Sequence, residues 1–136
     1  MATDPSQVFR EATEAINERG MSAFAEFCAP DVVCDMTRSA VPGMGVLRGL
    51  EATLEAVTEW ADAFEEYSLS YSELVDLGAG RVFAVGEQRG RPRGGAEEVS
   101  LRFSQINEIL EGKVQRLTFF REVEEGRRAA GLTGDG

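Results

Sequence analysis

Phe64 divides this 136-residue chain into two parts with different hydrophobic periods. Before it, most apolar residues recur at helical spacing. After it they alternate almost to the end, in four stretches: Ser68–Leu77, Arg81–Arg89, Glu97–Leu110 and Lys113–Arg121. Between them stand Gly78, Ala79 and Gly80, then the Gly/Arg/Pro loop from Gly90 to Gly95, then Glu111 and Gly112. A period of two is that of a strand, and connections this short join antiparallel neighbours, because a parallel return needs a crossover of about a dozen residues or more. The second part is therefore predicted to be a meander of four long strands.

The first part opens with a helix start. Asp4 supplies a capping oxygen, Pro5 suits the first helical position, and Gln7 follows Asp4 at the spacing of a capping box. Val8, Phe9, Ala12, Ala15 and Ile16 then repeat at helical spacing as far as Gly20. Ser22 can cap a second short helix carrying Phe24, Phe27 and Cys28, which should stop before Pro30. Val32 to Thr37 reads as a strand with Val32, Cys34 and Met36 on its more apolar face. A loop through Pro42, Gly43, Met44 and Gly45 leads to a brief strand at Val46 and Leu47. From Gly49 onward, Leu50, Leu54, Val57, Trp60, Ala61 and Phe64 form one helical stripe, with Glu51, Glu55, Glu59 and Asp62 opposite. A short helix or tail is expected from Glu122 towards Leu132, with Gly134 to Gly136 mobile.

One domain over residues 1–136 is the expectation, with an ordered core from about 5 to 132; the length suffices to bury a core without disulfides or metal. Helices clustered ahead of a meander pack on one face of it, giving an α+β fold of two layers. A strongly bent sheet wrapped around one long helix leaves a hollow between them.

Composition narrows the function. The chain has no histidine, so an imidazole base, nucleophile activator or metal ligand is excluded, and no metal or organic cofactor is expected. Net charge is −10, from 14 basic and 24 acidic residues, a surface that repels phosphate backbones and anionic lipid; neither nucleic acid nor membrane is an expected partner. Cys28 and Cys34 lack the spacing of a zinc or disulfide framework and read as reduced, buried thiols. With no membrane-length apolar run and no signal-peptide pattern at Met1 to Ser6, the expected location is cytoplasmic.

Several segments together resemble the nuclear-transport-factor-2-like superfamily and, within it, the SnoaL-like polyketide cyclase branch. They are the run from Asp31 to Asp35, Gly49, Glu59 and Trp60 with Phe64, the run from Arg102 to Ile106, Gly112 to Val114, and Phe120 with Arg121. The resemblance extends from about Val8 to Leu132. It implies a cone of curved antiparallel sheet with a mixed edge, wrapped around helices as in a cystatin-like roll, and a homodimer formed through the outer sheet face. Ketosteroid isomerases, polyketide cyclases, limonene epoxide hydrolases, scytalone dehydratases and non-catalytic binding proteins share this fold, so the site must be argued from its own residues.

On the expectation that Phe83 and Val85 face the hollow, Glu87 shares their side, and a carboxylate in apolar surroundings is raised towards the range of proton transfer. Glu87 is thus the candidate catalytic residue. The candidate ligand-binding residues are Cys34, Met36, Trp60, Phe83, Phe103, Gln105, Phe119 and Arg121. Gln105 lies on one strand face with Leu101, Phe103 and Asn107, and the resemblance places it where SnoaL-like cyclases carry a pocket histidine. Asp35, near the base position of ketosteroid isomerases, has the wrong parity for a hollow lined by Cys34 and Met36. Two readings stay open. One is a small-molecule pocket protein, acting as a cofactor-independent isomerase, cyclase or dehydratase on a mostly apolar substrate; the other is a non-catalytic binding or dimerisation module.

Overall fold

The computed structural model describes residues 4–41, 43–95 and 97–132. Pro42 and the run from Gly134 to Gly136, read above as loop and tail, lie outside the described residues. Helix α1 (Pro5–Arg19) begins as its sequence requires, with the Asp4 carboxylate accepting a hydrogen bond from the Ser6 N–H at 3.0 Å. The capping box does not close, because the Gln7 side chain donates to Glu11 instead. At the other end Gly20, with φ of 97°, turns the chain and donates its N–H to the Ile16 carbonyl.

The next segment, Met21–Phe27, is a 3₁₀ helix, and β1 (Cys28–Arg38) starts four residues earlier than the alternation suggested. Cys28 and Pro30 thus belong to a strand, not to a helix end. Pro30 is tolerated there because the β1–β6 pairing slips between Cys28 and Val33, where its missing N–H breaks no regular rung. Strand β2 (Val46–Arg48) and helix α2 (Leu50–Asp62) follow. Phe64 opens β3 (Phe64–Gly78) rather than closing the helix. Strands β4 (Arg81–Pro92), β5 (Val99–Leu110) and β6 (Lys113–Phe120) complete the meander, and α3 (Val123–Ala130) ends it.

The sheet order is β2-β1-β6-β5-β4-β3. Strands β3 to β6 are antiparallel throughout, while β1 joins β6 in parallel and carries β2 antiparallel at the edge. The fold is therefore α+β with a mixed sheet. Register shifts in β3, between Glu65 and Ser68, between Tyr71 and Glu73 and between Asp76 and Gly78, bend that strand over its neighbours.

The sheet buries both faces, which the helix-first reading did not anticipate. On the inner face α1, the 3₁₀ segment and part of α2 pack on Val32, Cys34, Leu69, Val82, Ala84, Phe103, Val114 and Leu117. On the outer face α3 covers a second core of Phe83, Val85, Ile106 and Phe120. There the Arg127 guanidinium lies 5.5 Å from the Phe83 ring centroid and pairs with the Glu73 carboxylate at 2.5 and 2.7 Å. The apolar part of the face through which the resemblance implies pairing is thus already occupied. The α2 stripe behaves differently from an ordinary core helix. Thr53 is its one fully buried residue, whereas Leu54, Val57 and Trp60 are only partly covered, because much of what they face is space.

Helix α3 can approach so closely because Gly126 has no side chain: a Cβ there meets the Ser104 hydroxyl and, at 3.2 Å, the Phe120 ring. Gly126→Ala is expected to destabilise the protein by about 1–3 kcal/mol, the usual range for overpacking. Chemical denaturation checks this, and adding Ser104→Ala to the same chain should restore part of the loss. An unchanged midpoint for Gly126→Ala would mean that α3 is not seated as described.

Candidate functional site

Between the inner sheet face, α1, α2 and the residues Ser39, Ala40, Val41 and Met44 lies a cavity of about 710 Å³. That is within the ordinary range for small-molecule pockets, about 300–1,000 Å³. Its walls come from every inner element: Phe9, Ala12 and Ile16 from α1, Val57 and Trp60 from α2, Tyr67, Leu69 and Tyr71 from β3, and Phe103, Leu117 and Phe119 from β5 and β6. The rings pack edge to face around it, Phe9 on Tyr71 at 4.6 Å and Tyr71 on Phe103 at 6.0 Å between centroids.

The inner face of β4 lies behind these walls and brings Gln88 to the cavity. Its residues are Val82, Ala84, Gly86 and Gln88, paired with Asn107, Gln105, Phe103 and Leu101. Residues directly opposite one another in an antiparallel pair share a face, so the alternating set of β5 selects this set on β4. Gly86 is required here. A Cβ at that position would stand 2.7 Å from both the Phe103 and the Tyr71 ring, so only glycine lets the two aromatics lie over the strand.

Two polar clusters interrupt the apolar walls. At one, the Gln88 Oε1 accepts hydrogen bonds from the Trp60 Nε1 and from the Tyr67 hydroxyl, each at 2.6 Å. At the other, the Tyr71 hydroxyl donates to the Gln105 Oε1 at 2.8 Å, and the Gln105 Nε2 donates to the Asn107 Oδ1 at 2.7 Å. Burial pushes both phenols well above the ordinary tyrosine value, so they remain neutral donors. Burial likewise pushes the Cys28 and Cys34 thiols up to about 12, which keeps them un-ionised. The carboxylates among the described lining residues are Glu122 and Glu124, both largely exposed at the rim.

Of the residues singled out from sequence, the structure brings Met36, Trp60, Phe103, Gln105 and Phe119 together around the cavity. Arg121 stands at the rim, largely exposed, with its guanidinium 3.9 Å from Glu122. Cys34 is fully buried behind the wall, in the inner core. Phe83 and Glu87 are not at the cavity. Contrary to the sequence expectation, Phe83 and Val85 are buried beneath α3 on the outer face of β4, and Glu87 follows their parity to the surface. There its carboxylate accepts from the Arg89 guanidinium and the Ser100 hydroxyl, each at 2.8 Å, and those two hydrogen bonds hold it below the usual glutamate range. Asp35 also lies away from the cavity, accepting from Thr37 and paired with Arg116. Gln88, Tyr67 and Tyr71 were missed. The alternation of Tyr67, Leu69 and Tyr71 along one strand face was the signal that could have found the two phenols.

Among the described residues no three of Cys, Asp or Glu converge as a metal-binding set, and no helix is long and apolar enough to cross a membrane.

A six-stranded mixed sheet closed by helices around one inner cavity is the arrangement of nuclear-transport-factor-2-like proteins. The SnoaL-like domain family matches residues 9–117, and the chain belongs to that family. No curated protein matches it in sequence. Among solved structures it is similar to an NTF2-like protein of unknown function from Burkholderia pseudomallei, at 20% identity over 97% of this chain and 100% of that one, with a TM-score of 0.70. It is similar also to a putative SnoaL-like polyketide cyclase from Mesorhizobium loti, at 17% identity over 87% and 99% of the two chains, TM-score 0.64. A third is TerC co-crystallised with polyporic acid, at 16% identity over 94% and 99%, TM-score 0.69. At these identities the likeness shows the fold alone.

The surface position of Glu87 has a measurable consequence. Because its carboxyl is depressed in the folded protein, the stability it contributes is present above the ordinary glutamate value and is lost as pH falls through the depressed one. Glu87→Gln should therefore lower the melting temperature slightly near neutral pH, with the difference closing in acid, and leave the cavity unchanged. A rise in melting temperature at neutral pH would mean that this carboxylate is buried and unpaired after all.

Proposed function

We propose that this protein binds one mostly apolar small molecule in the cavity, enclosing it with aromatic and aliphatic walls and orienting it by neutral hydrogen bonds. The observation that carries this reading is the combination of about 710 Å³ of space with amide and phenol groups on its walls and, among the described residues, carboxylates only at its rim. A core whose hollow had no ligand to hold would be expected to collapse or fill, since interiors pack densely and unfilled volume costs stability. The walls here instead leave Val57 and Trp60 of α2 only partly covered. The description of one similar fold as a putative polyketide cyclase, and of another as co-crystallised with polyporic acid, fits a small-molecule occupant.

Where chemistry follows binding, the groups present favour an isomerisation or cyclisation steered by positioned neutral donors over one driven by a base. Donors aimed at developing charge in a water-poor site stabilise a transition state without titrating themselves. The proton-transfer role read for Glu87 from sequence has no place in this scheme, because that side chain is on the other face of the sheet. A non-catalytic binding role uses the same walls and the same donors.

Trp60 makes the reading testable, being the one tryptophan of the chain and part of the cavity wall. Titration with the uncharged dye N-phenyl-1-naphthylamine should saturate, with energy transfer from Trp60 to the dye. Ala56→Phe, which puts a ring into the space beside α2, should weaken that binding tenfold or so while leaving the fold intact by circular dichroism. Absence of saturable transfer in the parent protein would overturn the proposal.

A further inference from the structure

The two polar clusters have a direction, and the direction constrains what the cavity can hold. The Gln88 Oε1 already accepts from two donors, Trp60 and Tyr67, which fills its two lone pairs. What remains of that amide is its NH₂ group, which makes no hydrogen bond to any described residue. The second cluster ends in the same way. In the second, the Tyr71 hydroxyl donates to the Gln105 Oε1 and the Gln105 NH₂ donates to the Asn107 Oδ1. The Asn107 NH₂ is therefore left over. Neither nitrogen is sealed off: among the described residues the buried side-chain polar atom that lacks a partner is Thr53 Oγ1. Both amides line the cavity and keep access to it. The hydroxyls of Thr13 and Ser39, also in the lining, donate to the Phe9 and Met36 carbonyls, and the Arg102 and Arg121 guanidiniums belong to its exposed part.

We propose that Gln88 and Asn107 are the ligand-recognising residues of this cavity, each presenting an amide donor, the first oriented by the donor-only indole of Trp60 and the second by the hydrogen bonds that run from Tyr71 through Gln105, so that the cavity takes molecules bearing oxygen acceptors. This rests on the cavity being a small-molecule site. Trp60, Tyr67, Tyr71 and Gln105 are positioning residues, acting on the ligand through the two amides. An indole N–H is donor-only, so the Gln88 amide cannot reverse without facing Trp60 with a second donor. Gln88 pairs with Leu101 and Asn107 with Val82, six residues apart along the β4–β5 ladder, so roughly 20 Å of strand separates the two backbones. The two donors thus serve opposite ends of the cavity. A ligand carbonyl or ether oxygen satisfies either one; a ligand donor placed there leaves two N–H groups facing each other in a dry site, the expensive case.

Three rigid tricyclic probes of nearly the same shape test this: 9-fluorenone carries an acceptor, carbazole carries a donor, and fluorene carries neither. In displacement of N-phenyl-1-naphthylamine, fluorenone is expected to compete at about tenfold lower concentration than fluorene or carbazole, the ratio one well-made hydrogen bond gives. The double variant Gln88→Leu with Asn107→Leu should bind fluorene still and lose the preference. Tyr71→Phe, which keeps the ring and removes only the donor behind Gln105, should let the relay reverse and narrow the gap between fluorenone and carbazole; near-UV circular dichroism checks the fold of both. Equal binding of all three probes by the parent protein, or tighter binding of carbazole, would overturn the inference while leaving the small-molecule cavity standing. Failure of the dye itself to bind would remove both.

Discussion

Everything at the inner site depends on two rings lying across one glycine. Strand β4 reaches the middle of the sheet with Gly86 facing inward, and Tyr71 and Phe103 from the strands on either side fill the space a side chain would take. That contact fixes where the Tyr71 hydroxyl arrives. From there it donates to Gln105 on β5, which donates in turn to Asn107. A side chain at Gly86 would displace both rings, and with them the relay and the shape of the wall. The bulge between Tyr71 and Glu73 belongs to the same arrangement, since it lets β3 present Tyr71 inward and, only two residues on, Glu73 outward to Arg127.

The outer face shows why a sheet of this kind can spare its inner volume. A two-layer fold that leaves a hollow on one side has given up packing there. The chain makes up some of that loss on the other side, where α3 seals Phe83, Val85, Ile106 and Phe120. Gly126 lets the helix sit close, and Arg127 covers the Phe83 ring while its charge is answered by Glu73 and Glu124. The outer core stiffens β4 and β5 from behind, and these are the strands that carry Gln88, Gln105 and Asn107 into the cavity.

Most of the fold was legible in the sequence because its signals were periodic and well punctuated. The change of period near Phe64 marked the meander, glycine pairs marked its turns, and Asp4 with Pro5 marked the first helix. The site was only half legible. On β5 the set Leu101, Phe103, Gln105 and Asn107 was read on one face, and that face is the cavity wall. On β4 the same reasoning chose Phe83, Val85 and Glu87, because bulky apolar residues suggested the buried side. Both sides of β4 are buried, so hydrophobicity carried no information about which was which; register did. Gly86 pairs with Phe103, and one face therefore includes Gly86 and Gln88 and leaves Glu87 out. That register depended on how far the strands ran into the Gly90–Gly95 loop, and β4 continues to Pro92. The early start of β1 escaped for a related reason, since a proline in a strand is readable only when the pairing irregularity that accommodates it is known.

Electrostatics completes the picture of what the cavity can do. The chain is strongly acidic overall, yet its acids stand outside: Glu87 with Arg89, Asp35 with Arg116, Glu73 with Arg127, and Glu122 beside Arg121 at the rim. Inside, burial holds the tyrosines protonated and the two thiols behind the wall un-ionised. No charge therefore changes on the inner walls across the neutral range, and the cations among the described lining residues, Arg102 and Arg121, are exposed. Discrimination must come from shape and from the orientation of neutral dipoles. In such a site the placing of one phenol across Gly86, on the strand next to that of Gln105, bears on which amide group the wall turns towards its guest.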